Sequence, residues 1–121
     1  MHRVLGIGGF FFRSRDPVGL KDWYARHLGV SPPVDADPSM PWAQEAGLTV
    51  FEPFERDSSY FDLSKPFMLN FRVADLDGLV AELEAGGIAV RRDTQVHDYG
   101  RFAWLADPEG NPIELWEPAR P

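Results

Sequence analysis

The sequence predicts an α+β domain built from two tandem units, each made of a strand, a helix and three further strands. Two segments with helical spacing of apolar residues each begin at an Asp and end at Gly. Each follows an apolar run and precedes shorter runs with strand alternation. The halves also align, since residues 49–53 match residues 114–118. An internal duplication explains this order, with a chance alignment of two generic units as the alternative.

The first unit spans residues 1–56 approximately. Residues 4–13 form an apolar run that predicts a buried strand. Asp16 is a good N-cap and Pro17 suits the first helical position, so a helix begins there and ends at Gly29. Residues 31–41 are too rich in proline for regular structure. Two short strands and a polar link to the next unit follow, at residues 42–46, 48–51 and 55–65.

The second unit, residues 66–118 approximately, repeats this order. Residues 68–73 alternate as a strand does. Asp75 opens a helix whose apolar residues recur at helical spacing until Gly86 and Gly87. Three predicted strands complete the unit, at residues 88–92, 100–105 and 112–116. The whole chain, residues 1–121, is therefore expected to form a single domain.

Composition excludes several classes of function. The chain has no cysteine, which removes disulfides, thiolate metal sites and cysteine nucleophiles. A net charge of −7 argues against binding to nucleic acid or an anionic membrane. No apolar stretch is long enough to span a bilayer, and the first residues lack the features of a signal peptide. We therefore expect a soluble cytoplasmic protein.

Residues 107–118 form a turn and strand that place a carboxylate among apolar neighbours. Pro108 fixes a turn, and Gly110 or Asn111 can supply the positive φ that the turn needs. In the strand that follows, Glu114 and Trp116 point to the same face. Such a carboxylate is either a functional group in a pocket or an ordinary exposed residue.

These motifs together resemble the vicinal oxygen chelate superfamily, which includes glyoxalase I, bleomycin-resistance proteins and extradiol dioxygenases. The resemblance covers essentially the whole chain and is carried by residues 16–29, 71–77 and above all 107–115. It implies that the two βαβββ units form a cupped mixed sheet with helices on the outside. It also implies a homodimer and a small-molecule ligand bound inside the cup.

Metal-dependent members of that superfamily use one ligand from the first and fourth strands of each unit. Here those positions fall on Gly9, Thr49, Met68 and Glu114. Only Glu114 is a ligand that hard or borderline metals favour. The histidines, at positions 2, 27 and 97, all miss these positions. We therefore expect no metal site, and the sequence shows no cofactor fingerprint.

Strand alternation predicts which side chains line the cup beside Glu114. An aromatic lining with a few polar groups is typical of a small-molecule site, whereas the same aromatics could instead fill the sheet face or a dimer contact. Arg101 and Tyr99 are expected at the rim, in a segment after His97 and Asp98 that reads as a solvated loop. The predicted lining residues are Phe11, Thr49, Phe51, Met68, Asn70, Arg72, Trp104 and Trp116.

Glu114 itself admits three interpretations. It could be a general base in an apolar cup, an ion-pair partner of Arg13, Arg72 or Arg101, or the relic of a metal site held by hydrogen bonds. The sequence accordingly predicts a metal-free binder of an apolar or aromatic ligand, with Glu114 as a candidate catalytic base. The alternatives are a divalent-metal lyase or dioxygenase, and a non-catalytic dimeric scaffold with a filled cup.

Overall fold

The computed structural model of the chain describes residues 1–32, 37 and 39–120. Within these residues it contains two helices and one four-stranded mixed sheet, which confirms the predicted α+β class. Part of the predicted proline-rich loop, at residues 33–36 and 38, lies outside the described residues. The elements are α1 (Pro17–Leu28), β1 (Leu69–Arg72), α2 (Leu76–Ala85), β2 (Arg91–Arg92), β3 (Gly100–Ala106) and β4 (Pro112–Pro118).

Both helices begin and end where the sequence predicts. The Asp16 carboxylate accepts a hydrogen bond from Gly19 N at 3.1 Å, and Asp75 accepts one from Gly78 N at 3.0 Å. These caps satisfy backbone N–H groups that have no partner inside the helix. Gly29 ends α1 with φ of 70°, a conformation that glycine adopts without steric cost. Neither helix in the described residues is long and apolar enough to cross a membrane.

The sheet has the order β1-β4-β3-β2. β1 pairs in parallel with β4, whereas β3 is antiparallel to both β4 and β2. The central strand β4 thus places Glu114 opposite Asn70 on one side and Trp104 on the other. This register brings three polar side chains from three strands to one point of the sheet.

The hydrophobic core lies between the two helices and one face of this sheet. Leu20 and Tyr24 of α1 pack with Leu76 and Val80 of α2 against the sheet residues. The sheet contributes Ala103, Leu105, Ile113 and Leu115, which are all buried. Because both helices cover this face, the opposite face of the sheet carries no helix.

The prediction of strands in the first half is wrong for the single chain. The structure assigns no strand to residues 4–13, 42–46 or 48–51. Their side chains are exposed, and among the described residues none of their backbone groups pairs with another backbone group. A strand requires a neighbouring strand that satisfies its N–H and C=O groups, and none lies beside these residues in the part of the chain that the structure describes. Only the second unit therefore forms its sheet.

Candidate functional site

The sheet face opposite the helices, here called the open face, carries the polar and aromatic side chains that the core excludes. Its members follow from the register of the four strands, because side chains alternate between faces and paired residues share one. Glu114 lies near its centre, between Asn70 and Trp104. The open face consists of Asn70, Arg72, Arg91, Phe102, Trp104, Glu114 and Trp116.

Glu114 is buried and accepts hydrogen bonds from three neutral donors. Its side chain belongs to a residue only 7% exposed. Oε2 accepts hydrogen bonds from the Tyr60 hydroxyl at 2.6 Å and from Trp104 Nε1 at 2.8 Å, and Oε1 accepts one from Asn70 Nδ2 at 2.7 Å. Hydrogen bonds to an ionised acceptor are short and stronger than neutral ones, as these distances illustrate. The carboxylate is therefore held in one orientation.

No Lys or Arg nitrogen among the described residues lies within 4 Å of the Glu114 carboxylate. The interpretation as an arginine ion pair is thus wrong. Arg72 donates instead to the Glu45 carbonyl oxygen at 2.9 Å, and Arg101 donates to Asp77. A carboxylate offers about four acceptor positions, so three donors leave about one, on Oε1. The direct partners of the Glu114 carboxylate among the described residues are therefore neutral donors.

Tyr60 reaches Glu114 from the segment that joins the two halves of the chain. Its ring packs edge-on against Trp104, with 6.2 Å between ring centroids, and against Phe54 at 5.4 Å. Burial, together with the hydrogen bond to the Glu114 carboxylate, raises the pKa of Tyr60 to about 12. The hydroxyl therefore remains a donor over the whole physiological range of pH.

The aromatic rings of the open face form a stripe. The Phe102 ring is nearly parallel to those of Trp104 and Trp116, with centroid distances of 6.5 and 6.4 Å and interplanar angles of 12° and 5°. The Arg91 guanidinium lies 4.2 Å from the Trp104 ring centroid, where the ring quadrupole attracts a cation. Trp116 Nε1 donates to the Tyr99 carbonyl oxygen at 2.8 Å, which fixes its ring. A flat ligand can stack on these parallel rings, because their orientation is already fixed.

The loop between β2 and β3 closes one end of the stripe. His97 Nε2 lies 2.9 Å from an Asp93 carboxylate oxygen, and its ring stacks on Tyr99 at 5.1 Å. The hydrogen bonds from Gln95 N and from His97 lower the pKa of Asp93. His97 thus pairs with Asp93 rather than with its sequence neighbour, and its ring is partly buried instead of fully solvated.

A buried network holds the turn that delivers β4. The Asp107 carboxylate accepts hydrogen bonds from the Tyr24 hydroxyl at 2.6 Å and from Asn111 Nδ2 at 2.7 Å. Burial, with the adjoining Asp107 carboxylate, raises the pKa of Tyr24 well above its usual range. Gly110 takes the positive φ, at 79°. The turn is consequently fixed to α1, and this fixes the register that positions Glu114.

The structure brings together only some of the predicted site residues. Asn70, Trp104, Glu114 and Trp116 share the open face, and Arg72 lies at its edge beside β4. Arg101 does not belong with them, because it lies on the same face of β3 as the buried Ala103 and pairs with Asp77 of α2. Four further predicted lining residues lie outside the sheet: Phe11, Thr49 and Phe51, which are exposed, and Met68, which is partly buried just before β1.

Two clefts formed by the described residues do not include Glu114. A cleft of about 570 Å³ lies in the segment joining the halves and includes Phe54, Phe61 and Met68. A second, of about 520 Å³, lies between α1 and the turn at Pro108 and Glu109. The residue chemistry nevertheless concentrates on the open face, where a buried carboxylate and stacked rings coincide, so we place the candidate site there.

Sequence reasoning missed two members of this site. Tyr60 lies in a polar segment predicted as a link, and no spacing rule connects it with Glu114, 54 residues away. Arg91 lies near the end of the strand predicted at residues 88–92. Its position over Trp104 follows only from the register of β2 with β3. Alternation within β2 was the one signal that could have placed Arg91 on this face.

The donors at this position do not fit a divalent metal. No group of three or more His, Cys, Asp or Glu residues that could hold an ion occurs in the described part of the chain. The Glu114 oxygens accept hydrogen bonds from Tyr60, Asn70 and Trp104, and none of these is arranged as a ligand set.

Comparison with known proteins places the chain in a family. The family model described as a glyoxalase-like domain matches residues 9–116. No curated protein sequence matches. The solved structure of TnmS3, an antibiotic binding protein from Streptomyces sp. CB03234, is 22% identical over 98% of this chain and 100% of its own, with a TM-score of 0.61.

Two further solved structures share the fold at low identity. A glyoxalase/dioxygenase from Nostoc punctiforme is 16% identical over 99% of both chains, with a TM-score of 0.57. A member of the glyoxalase/bleomycin resistance protein/dioxygenase superfamily from Sphaerobacter thermophilus DSM 20745 is 22% identical over 84% of this chain and 88% of its own, with a TM-score of 0.52. These likenesses concern the fold.

Proposed function

Because the chain belongs to the glyoxalase-like domain family, we propose that it is a metal-free small-molecule-binding protein of the glyoxalase/bleomycin-resistance type. The ligand is a flat, aromatic or largely apolar molecule that stacks on the open face. Its recognition depends on Glu114, whose carboxylate lies among Trp104, Phe102 and Trp116.

The observation that carries this proposal is the hydrogen bonding of Glu114. Three neutral donors occupy most of its acceptor capacity, at 2.6 to 2.8 Å, and leave about one position on Oε1. A ligand hydroxyl or N–H that fills this position would gain a charge-assisted bond in a buried setting. Stacking against the rings would supply most of the apolar contact, and the single bond would set the orientation.

The family context agrees with a binding role. TnmS3 is described as an antibiotic binding protein, and its fold extends over 98% of this chain. A protein that sequesters a compound requires a complementary surface but no reacting groups. The open face offers such a surface, with rigid rings and one oriented acceptor.

A second candidate is proton transfer, which the contact between Tyr60 and Glu114 favours. Their oxygens are 2.6 Å apart, close enough for a proton to pass between them. In this variant Glu114 acts as the general base toward the bound ligand, and Tyr60 supports its charge. Three donors leave Glu114 about one acceptor position, on Oε1, so a proton taken by Glu114 would occupy the position that a bound ligand uses.

The proposal includes a homodimer as the functional assembly, which the resemblance of the sequence implies. It also includes a cytoplasmic setting, in keeping with the lack of cysteine.

Isothermal calorimetry with matched aromatic compounds tests the proposal. We expect 2-naphthol to bind about tenfold more tightly than 2-methoxynaphthalene, since only the former donates a hydrogen bond worth roughly 1.4 kcal/mol. Glu114→Gln should reduce this preference, and the exposed Glu84→Gln serves as the control that leaves it unchanged. Absence of binding by every flat aromatic probe would reject the function, whereas conversion of a bound compound would favour the catalytic variant.

A further inference from the structure

Four side chains of the open face stand in one row across the strands. Arg91 of β2 pairs with Trp104 of β3, and Trp104 pairs with Glu114 of β4. Glu114 in turn pairs with Asn70 of β1, so each strand contributes one residue to what we call the cross-strand row. Neighbouring strands lie about 4.8 Å apart, so Arg91 and Glu114 are separated by about 10 Å at the backbone. A flat bicyclic ligand that lies along the row therefore reaches both residues.

Arg91 forms the positively charged end of this row. Its side chain is exposed, and its guanidinium lies 4.2 Å from the Trp104 ring centroid. Among the described residues, no carboxylate oxygen lies within 4 Å of it. A guanidinium over a ring face keeps its N–H groups at its edge, where they can donate to an oxygen while the stacking contact persists. Arg91 can therefore hold a ligand group without leaving Trp104.

The neighbouring charged groups are already engaged elsewhere. Asp93, two positions after Arg91, lies 2.9 Å from His97 Nε2. Arg72, the other arginine of the open face, donates to the Glu45 carbonyl oxygen at 2.9 Å. Of the two arginines on the described open face, Arg91 is thus the one whose guanidinium has no oxygen partner.

We propose that the ligand of the open face is an aromatic monoanion, whose carboxylate binds to Arg91 while its opposite end donates a hydrogen bond to Glu114. In this arrangement, which rests on the proposed function, the charge and the orientation of the ligand are both specified. A guanidinium presents two N–H groups in the geometry of a carboxylate, so the contact can be bidentate. A single guanidinium balances one negative charge, which suits a carboxylate better than a phosphate dianion.

The charges of the row determine which way round such a ligand lies. The buried Glu114 carboxylate would repel a second carboxylate placed beside it. The anionic end therefore lies at Arg91, and the hydroxyl or N–H lies at the remaining acceptor position on Glu114 Oε1. Because the whole chain carries a net charge of −7, it attracts an anion only where a cation is close, within a screening length of about 8 Å.

Calorimetry at pH 7 with 6-hydroxy-2-naphthoate and its methyl ester tests the proposal. Both compounds have the same rings and the same hydroxyl, and only the acid is charged, since an ordinary carboxyl group has a pKa of about 4. We expect the acid to bind about fivefold more tightly than the ester, which corresponds to about 1 kcal/mol. The preference should shrink to about twofold or less at about 0.5 M NaCl, because salt screens an exposed ion pair.

Arg91→Gln should abolish the preference for the acid and leave the affinity for the ester nearly unchanged. Arg92→Gln is the matched control, because Arg92 is the next residue of β2 and its side chain pairs with Asp77 of α2 on the opposite side of the sheet. It removes the same charge from the chain and should retain the fivefold preference. Arg91→Lys keeps the charge without the forked geometry and should retain a preference of about twofold.

Equal affinities of the unmodified chain for the acid and the ester would overturn the proposal. So would a preference that survives Arg91→Gln, or one that Arg92→Gln removes to the same extent. In each of these cases the ester still binds, and the proposed function stands without the anionic group. If neither naphthoate compound nor 2-naphthol binds, the proposed function fails and the anionic ligand fails with it, so the two failures are distinguishable.

Discussion

Replacing Glu114 by Gln tests whether the carboxylate network stabilises the fold as well as the site. Gln keeps the shape but lacks the charge. If its oxygen takes the place of Oε2, Tyr60 and Trp104 keep their acceptor. Its NH₂ group then faces Asn70, whose amide can rotate and accept instead of donate. All three hydrogen bonds can therefore survive as neutral ones.

The expected cost is the difference between charge-assisted and neutral hydrogen bonds. Each hydrogen bond to a charged group contributes about 1.5–3 kcal/mol and each neutral one about 0.5–1.5 kcal/mol. Replacing three charged bonds by neutral ones would therefore cost roughly 3 kcal/mol. The desolvation of the carboxylate offsets part of this, and we expect Glu114→Gln to lose about 1–2 kcal/mol of unfolding free energy. Urea unfolding followed by circular dichroism measures this change, and the dependence of the unfolding free energy on urea concentration should stay the same.

Asn70→Asp provides the contrasting variant. It places two carboxylates at the 2.7 Å contact, so at pH 8 it should be markedly less stable than Glu114→Gln, and it should recover as the pH falls to 5. If Glu114→Gln is as stable as the unmodified chain, or if Asn70→Asp costs nothing at pH 8, the network does not hold this face together and the reasoning fails.

Three further predictions concern the surroundings of the site. Since the pKa of Tyr60 is raised to about 12 in the folded chain, its contribution to stability is present below pH 10 and is lost between pH 10 and 12. The urea midpoints measured at pH 9 and at pH 11 should therefore differ less for Tyr60→Phe than for the unmodified chain. Gly100→Ala would place a Cβ 2.2 Å from the Glu117 carbonyl oxygen at φ of 130° and should cost more than about 3 kcal/mol, whereas Gly8→Ala, with no atom nearby, should change the unfolding free energy little. Hydrogen bonds from Arg15 N, Ser14 Oγ and Asp16 N, just before α1, lower the pKa of Glu109. Glu109→Gln should therefore destabilise the chain at pH 7, and its difference from the unmodified chain should vanish as the pH falls through that lowered pKa.

Local chemistry made the helices and the sheet of the second unit predictable. The helices begin at Asp16 and Asp75, and α1 ends at Gly29. These residues act through contacts within a few positions of the chain, so the sequence shows them directly. Three strands of the second half were also found, because alternation shows which face each residue occupies, whereas the strand predicted at residues 88–92 is shortened to Arg91–Arg92. The first-half runs have the same alternation, but forming a strand depends on a neighbour that the sequence cannot supply.

The candidate site was predicted in part. Glu114, Asn70, Trp104 and Trp116 follow from alternation and register, and the structure places them on one face. Arg101 was assigned to the rim, although the same alternation puts it with Ala103 on the helix side. Tyr60 could not be found at all, since its position depends on how an irregular segment crosses the sheet.

The contact between Tyr24 and Asp107 also bears on how the chain matures during synthesis. These residues are 83 positions apart, so α1 leaves the ribosome long before its packing partners exist. The apolar face of α1 must wait, unprotected, until β3, the turn and β4 have emerged. Folding therefore cannot proceed from the amino end, and the last quarter of the chain governs when the first quarter becomes ordered.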